Sequence, residues 1–297
     1  MNVVDLVGHT PIVTLDKLTP PSGARVWAKA EFLNPSGSVK DRAARAMILE
    51  GLSNGRFGRD KALIDATSGN TGVAYAMIGA ALDRRVILYM PANANYERKS
   101  LIKAYGAEIV ETDPLEGSDG AFLSAEKAYL GNPGKYFFPN QYHNPANPLA
   151  HYGSTGPEIW EQTGGAVTHF VNSLGTSGTF VGTARFLKEK NGSVKTLIVQ
   201  PDSPFHGIEG TKHMGSTLKP DIYDVSLVDG EERVSTAEAV AMAKRLAKET
   251  GLLVGISAGA NVTAALRIAS RLGPSGNVVT ILGDSGSRYF SDGTWDG

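Results

Sequence analysis

Hydrophobic and polar positions along the chain follow two periods in turn. Short, nearly continuous apolar runs recur at 62–66 (ALIDA), 85–90 (RVILYM), 107–112 (AEIVET), 168–173 (THFVNS), 195–200 (KTLIVQ) and 277–282 (NVVTIL). Each reads as a strand, and runs this apolar belong to sheets covered on both faces. Between them the period lengthens to that of an amphipathic helix. In STAEAVAMAKRLAKETG, Ser235 and Glu238 form a capping box, Ala239, Met242, Ala243 and Leu246 make an apolar stripe, and Gly251 ends the helix. The alternation predicts an α/β fold with mostly parallel sheets. A chain of 297 residues can bury one large core or two moderate ones, and two lobes are expected. The Pro- and Asn-rich FFPNQYHNPANP (137–148) interrupts the alternation and marks the expected crossing between them.

Composition narrows the partners. The formal net charge of -1, from 29 basic and 30 acidic residues, gives no electrostatic footprint for nucleic acid or an anionic membrane, so a small neutral or mixed-charge ligand is expected. With no cysteine there is no disulfide and no thiolate metal site, no metal is expected, and any sulfur chemistry must use sulfur from a substrate. The opening MNVVDLVGHTPIV has no secretion signal, and no apolar stretch reaches membrane-spanning length. A soluble, cytoplasmic protein is expected, in which NGS at 191–193 is a polar turn.

The chemistry lies in the loops. In NPSGSVKDR (34–42), Ser38 followed three residues later by Asp41 predicts a capping box, with the helix starting at Val39 and Lys40 at its second position. The partial positive charge of a helix N-terminus disfavours an ammonium group there and leaves more free amine. After the strand at 62–66, Gly69 and Gly72 permit close backbone approach, while Thr67, Ser68, Asn70 and Thr71 offer donors suited to a carboxylate or a phenolate-like oxygen. Taken alone, the stretch is equally an ordinary capped turn. After the strand at 168–173, Gly175, Thr176, Ser177, Gly178 and Thr179 repeat the design as an anion-binding nest fit for a phosphate. This is neither a P-loop nor a dinucleotide fingerprint. Ser257 sits between Gly255 and Gly259 ahead of a later helix, and Asp284, Ser285 and Gly286 end the last strand.

Together, LVGHTPIVTL, NPSGSVKDRAA, ATSGNTG, NQYHNPANPLAHYGSTGPEIWEQTGG, GTSGT, GISAGA and GDSGSRY resemble the cysteine synthase family, pyridoxal-phosphate enzymes of the tryptophan synthase β-subunit fold. The resemblance covers nearly the whole chain and is nearest to the B-type branch. It implies two three-layer α/β lobes: a smaller one at 42–145 with a mobile part at about 85–130, and a larger one at 1–41 plus 146–297 that holds the cofactor phosphate. It also implies that Lys40 forms the Schiff base with pyridoxal 5'-phosphate and later removes the substrate α-proton. By the same resemblance Gly175 to Thr179 hold the phosphate, and Asn70 bonds the ring's phenolic oxygen. Thr67, Ser68, Thr71 and Gln141 grip the substrate carboxylate. A serine, expected at Ser257, meets the pyridine nitrogen, with Asp284 and Ser285 as the alternatives. A neutral partner there leaves the ring a weaker electron sink and favours prompt loss of a β-leaving group.

The reaction implied is β-replacement: an O-activated serine, O-acetylserine by default, loses its leaving group to give a bound α-aminoacrylate, and sulfide or another sulfur donor adds to form L-cysteine. O-phosphoserine, homocysteine as in cystathionine β-synthases, and bulkier donors such as thiosulfate are the open alternatives. Lys212 and His213 replace the arginine pair typical of the B-type branch, and either could face the leaving group or the sulfur donor. A dehydratase of the same fold is disfavoured by QYHNPANP, and a non-catalytic nucleotide- or ligand-binding protein is the distant rival. The resemblance further implies a homodimer and allows a complex with serine acetyltransferase.

Overall fold

A computed structural model of the chain describes residues 1–67 and 69–296. Among these, strands β1 (Ile12–Thr14), β2 (Arg25–Lys29), β3 (Ala62–Ala66), β4 (Val86–Pro91), β5 (Glu108–Thr112), β6 (Tyr136–Phe137), β7 (His169–Ser173), β8 (Lys195–Pro201), β9 (Gly230–Val234) and β10 (Asn277–Ile281) build two sheets. Their orders are β1-β2-β10-β7-β8-β9 and β5-β4-β3-β6. All the pairings between these strands are parallel except β1 with β2, where Ile12 faces Lys29. The six apolar runs are β3, β4, β5, β7, β8 and β10, each within a residue of its expected bounds.

The helices are α1 (Lys40–Ser53), α2 (Asn70–Ala81), α3 (Tyr96–Ala104), α4 (Gly117–Gly131), α5 (Ala146–Ala150), α6 (Gly156–Gln162), α7 (Gly178–Lys190), α8 (Thr236–Arg245) and α9 (Ile256–Leu272). Both sheets are covered on both faces. On the six-stranded sheet, Met242, Ala243, Ala260 and Ala264 of α8 and α9 pack on Val26, Val171, Val199 and Val278. On its other face, Ile159, Phe180 and Leu187 of α6 and α7 pack on Phe170, Ile198 and Val279. The four-stranded sheet carries Met47, Val73 and Ile102 of α1, α2 and α3 against Leu63 and Leu88, and Ala121 and Ala125 of α4 against Ala66 and Tyr89. The fold is therefore the three-layer α/β arrangement expected, with the four-stranded sheet drawn from residues 62–137 and the six-stranded sheet from the segments on either side. The predicted box opens α8: the Ser235 hydroxyl accepts from Glu238 N at 3.2 Å, and the Glu238 carboxylate accepts from Ser235 N at 3.0 Å. Gly251, at φ 76°, closes the π turn that follows.

The start of α1 differs from the sequence expectation. The helix begins at Lys40, which is its first rather than its second residue, and no Ser38–Asp41 box forms. Ser38 oxygen does accept from Lys40 N at 3.3 Å, but the Asp41 carboxylate turns to Ser36, accepting from its N at 2.6 Å and from its hydroxyl. Long-range pairing explains the change. Val39 N donates to Gly283 O (2.8 Å) and Ser285 N to Gly37 O (3.3 Å), which docks the turn onto the segment after β10 and takes the cap geometry from local control.

The next side chain, Arg42, anchors α1. Its guanidinium meets Glu31 through Nε (2.8 Å) and Nη2 (2.7 Å), and Glu158 through Nη1 and Nη2 (both 2.7 Å). Lys29 Nζ lies 2.6 Å from Glu158 Oε2, and Thr10 and Asn34 donate to Glu31 at 2.7 and 2.8 Å. All six residues are buried. The cations offset the burial penalty on the carboxylates, drawing Glu158 down to about 2 and Glu31 below its ordinary value.

Removing one member leaves a buried charge uncompensated, so Glu31→Ala should lower the unfolding free energy by about 3–5 kcal/mol, read as a lower urea midpoint. The pH sense is fixed by the depressed value at Glu158. Its contribution is present above the ordinary carboxylate range near 4.5 and is lost as the pH falls toward about 2.

Candidate active site

Four segments meet at the carboxyl ends of the strands, where open α/β sheets form their ligand crevices. They are the loop from β3 to α2, the loop from β7 to α7, the start of α9, and the residues after β10. They enclose a cavity of about 510 Å³ whose lining includes Lys40, Thr67, Asn70, Thr71, Gln141 and Ser257. A hollow of about 40 Å³ continues from it, lined by Gly175, Thr176, Ser177, Thr179 and again by Lys40 and Ser257.

Lys40 Nζ makes no hydrogen bond or ion pair among the described residues. Its pKa is lowered, first by burial, with the charge of Asp284 opposing. Enclosure by protein is thus the main cause, and the helix-terminal position adds in the same direction. Beside it, Ser177 adopts the left-handed conformation (φ 71°) and serves as N-cap of α7 without making a side-chain cap bond. Its Oγ is buried and has no partner among the described residues. The first turn of α7 also leaves its N–H groups without intrahelical acceptors. The neighbouring hydroxyls are engaged: Thr176 accepts from Asn147 Nδ2 at 3.0 Å, and Thr179 lies 3.3 Å from His151 Nε2. At Gly178 a side chain would strike the Asn147 amide, so this position requires glycine.

The other loop is cross-braced. Thr67 Oγ1 accepts from Gly69 N (3.0 Å) and Gly72 N (3.2 Å), Thr71 donates to Gln141 Oε1 (2.8 Å), and Gln141 Nε2 donates to Ala66 O (2.9 Å). Asn147 Nδ2 also donates to Gln141 O at 2.8 Å, so one asparagine ties this loop to Thr176. Asn70 is the first residue of α2. Ser68, expected to help grip the substrate, lies outside the described residues.

After β10, the buried Oδ1 of Asp284 has no hydrogen-bond partner among the described residues. Asp284 Oδ2 accepts from Asn70 Nδ2 (2.7 Å) and from the Tyr289 hydroxyl (2.8 Å). Ser285 is occupied in capping Ser287. The Ser257 hydroxyl, which lines both hollows, has no partner among the described residues. Lys212 reaches the large cavity, where Nζ lies 3.4 Å from Asp119 Oδ1 and 4.9 Å from the Tyr142 ring centroid. His213 bonds Ser216 instead (2.8 Å) and is not among the lining residues.

Several site residues were not singled out from sequence. Arg98 of α3 is only 4 % exposed, pairs with Glu209, stands 3.9 Å from Asp284 Oδ2 and lies over the Tyr289 ring. His151 is buried against Thr155 and Thr179, and burial lowers its pKa to about 3, so it is neutral. Arg288 contacts Asn70 and the Ser36 carbonyl.

Residues 3–284 match the family described as pyridoxal-phosphate dependent enzyme. The chain is 48% identical to a cysteine synthase of Aquifex aeolicus over 97% of its own length and 90% of the relative's. It is 43% identical to cysteine synthase B of Escherichia coli, covering 97% and 94%. The crystal structure of a cysteine synthase from Entamoeba histolytica superposes with a TM-score of 0.93 at 36% identity, covering 99% of this chain and 90% of that one. The chain belongs to the pyridoxal-phosphate-dependent enzyme family, with the tryptophan synthase β-like fold. Within that family it is a cysteine synthase, a transferase that forms L-cysteine with pyridoxal phosphate as cofactor. The residues present fit that group: the partnerless Ser177 hydroxyl and open first turn of α7 suit a phosphate, and the unpaired Lys40 amine suits an aldehyde.

Beneath the β3 loop, Asp65 is wholly buried, accepting from Ala66 N (2.8 Å) and the Tyr75 hydroxyl (2.9 Å). Burial pushes its carboxyl up to about 7. A raised folded value means that the stabilising contribution is complete below the ordinary carboxylate range and is lost as pH rises through about 7. The urea midpoint of the wild type should therefore fall relative to that of Asp65→Asn between about pH 5 and pH 8. Parallel midpoints would contradict this.

Proposed function

We propose that the enzyme joins sulfide to the β-carbon of O-acetylserine, releasing acetate and L-cysteine, with Lys40 as the cofactor-linking and proton-transferring residue. One observation carries this reading: Lys40, an amine of lowered pKa without a partner among the described residues, stands between a hollow lined by Gly175, Thr176, Ser177 and Thr179 and a cavity lined by Thr67, Thr71 and Gln141. Bound pyridoxal phosphate supplies the electron sink for β-elimination and β-addition. The chain supplies the rest. Gly178, Thr179 and the Ser177 hydroxyl hold the phosphate at the N-terminus of α7, with Gly175 and Thr176 shaping the approach. Asn70 donates to the ring's phenolic oxygen. Ser257 gives the ring nitrogen a neutral partner, a role supported by its place on both hollows with a hydroxyl that has no partner among the described residues.

Thr67, Ser68, Thr71 and Gln141 bind the substrate carboxylate as neutral donors and orient its α-hydrogen toward Lys40. As free base, Lys40 Nζ takes that proton and later returns it. Lys212, also on the cavity wall, faces the departing oxygens. The chain divides into a lobe at 42–145 and another at 1–41 plus 146–297, and movement of residues 85–130 over the bound substrate excludes water. The pairs Arg98–Glu209 and Lys212–Asp119, which cross between these lobes, support that closure. A cytoplasmic homodimer is the working form, with binding of serine acetyltransferase a separate question for co-purification.

The test is kcat/KM for O-acetylserine, O-phosphoserine and serine, each with sulfide, thiosulfate and homocysteine. O-acetylserine with sulfide should lead. Preference for O-phosphoserine, or for homocysteine as acceptor, would replace the proposed substrates. Borohydride should fix the cofactor to residue 40 of the wild type but not of Lys40→Ala, whose turnover should fall about 1,000-fold or more. Fixation elsewhere would overturn the assignment of Lys40.

A further inference from the structure

The amide of Asn70 has two ends of nearly equal size, and only one of them can donate. Rotation by half a turn exchanges them, so a site that needs a donor must prevent that rotation. Here each end meets a group that accepts only one orientation. The guanidinium of Arg288 has donors only and contacts Oδ1, while the carboxylate of Asp284 accepts at 2.7 Å from Nδ2. A reversed amide would set N–H against guanidinium and carbonyl oxygen against carboxylate, losing both hydrogen bonds in a buried setting.

We infer that Arg288 and Asp284 are positioning residues that lock the Asn70 amide, leaving one of its two N–H bonds for an oxygen in the cavity. This rests on the assignment of Asn70 to the cofactor's phenolic oxygen. Both partners are themselves fixed. Arg288 and Asp284 are 4 % and 1 % exposed, and the Tyr289 hydroxyl donates to the same carboxylate oxygen at 2.8 Å. The other arm of Arg288 donates to the Ser36 carbonyl and lies over Gly37, where a Cβ would come within 2.9 Å of Nη2 and where φ is +86°. Arg288 thus spans from the turn that delivers Lys40 to the residue that opens α2, and it sets the spacing between amine and amide as well as the amide's sense.

The test uses holoenzyme and reads the absorbance of the bound cofactor, which reports hydrogen bonding at its phenolic oxygen. The variants are Asn70→Ala, Arg288→Met, Arg288→Lys, Asp284→Asn, and the doubles of Arg288→Met and Asp284→Asn with Asn70→Ala. Arg288→Met and Asp284→Asn should move the visible band in the direction that Asn70→Ala does, and each should lower kcat about tenfold with KM changed less than about twofold, the worth of one buried hydrogen bond. Neither double should differ from Asn70→Ala alone. Arg288→Lys, which keeps a donor-only cation, should restore most of the wild-type spectrum. A wild-type spectrum in Arg288→Met or Asp284→Asn, or doubles that add the single effects in full, would overturn the inference. If Arg288→Met does not fold by circular dichroism, Arg288→Lys and Asp284→Asn decide the question. An unchanged spectrum in Asn70→Ala, or wild type that borohydride does not link at Lys40, would instead remove the reading of the site on which this depends.

Discussion

A guanidinium held between two buried carboxylates fixes the position of α1, the helix that begins at Lys40. Glu31 follows β2 and Glu158 lies in α6, and both converge on Arg42, two residues beyond Lys40. Charges this far from water hold only in narrow geometry, because any loss of contact leaves one of them unsolvated. The start of α1 is therefore set by contacts from remote parts of the chain rather than by its own cap. The arrangement also keeps strong partners off Lys40 itself. An amine with its own carboxylate would stay protonated, whereas one held in place through its neighbour can lose its proton.

The cavity's charges are mostly neutralised against one another before any ligand enters. Asp284 is flanked by Arg98 and bonded by Asn70 and Tyr289, while Glu209 takes the other face of Arg98. Among the described residues, what stays open is the hydroxyls of Ser177 and Ser257, the Lys40 amine and one buried oxygen of Asp284. Such a site binds anions through dipoles whose directions are already fixed, so little reorganisation accompanies a change of charge on the ligand.

Much of the fold was legible because parallel strands buried on both faces leave unbroken apolar runs. Four strands escaped notice, three of them short or at edges, and the fourth, interior β2 (RVWAK), has an apolar run cut to three residues by a cation at each end. β1 and β6 have three and two residues, and β9 (GEERV) carries charges on its exposed positions, as edge strands do. The hydroxyl-rich loops were legible for a local reason, since glycine spacing and a following helix define them within ten residues. Arg98, Asn147 and Arg288 offered no such sign. In YERKSLIKA an arginine reads as part of a solvated face, and its burial arises from Glu209 and Asp284, more than a hundred residues away. The misplaced start of α1 has the same origin, because the bonds from Val39 to Gly283 and from Ser285 to Gly37 overrode a sound local capping pattern.

The two hydroxyl-rich loops spring from different sheets. Gly175 to Thr179 follow β7 at the centre of the six-stranded sheet, and Thr67 to Thr71 follow β3 in the four-stranded one. On the proposed assignment, a reusable reagent and a consumable one would be mounted on separate foundations that Asn147 couples through Gln141 and Thr176, so discharge of product would be felt where the reagent is retained.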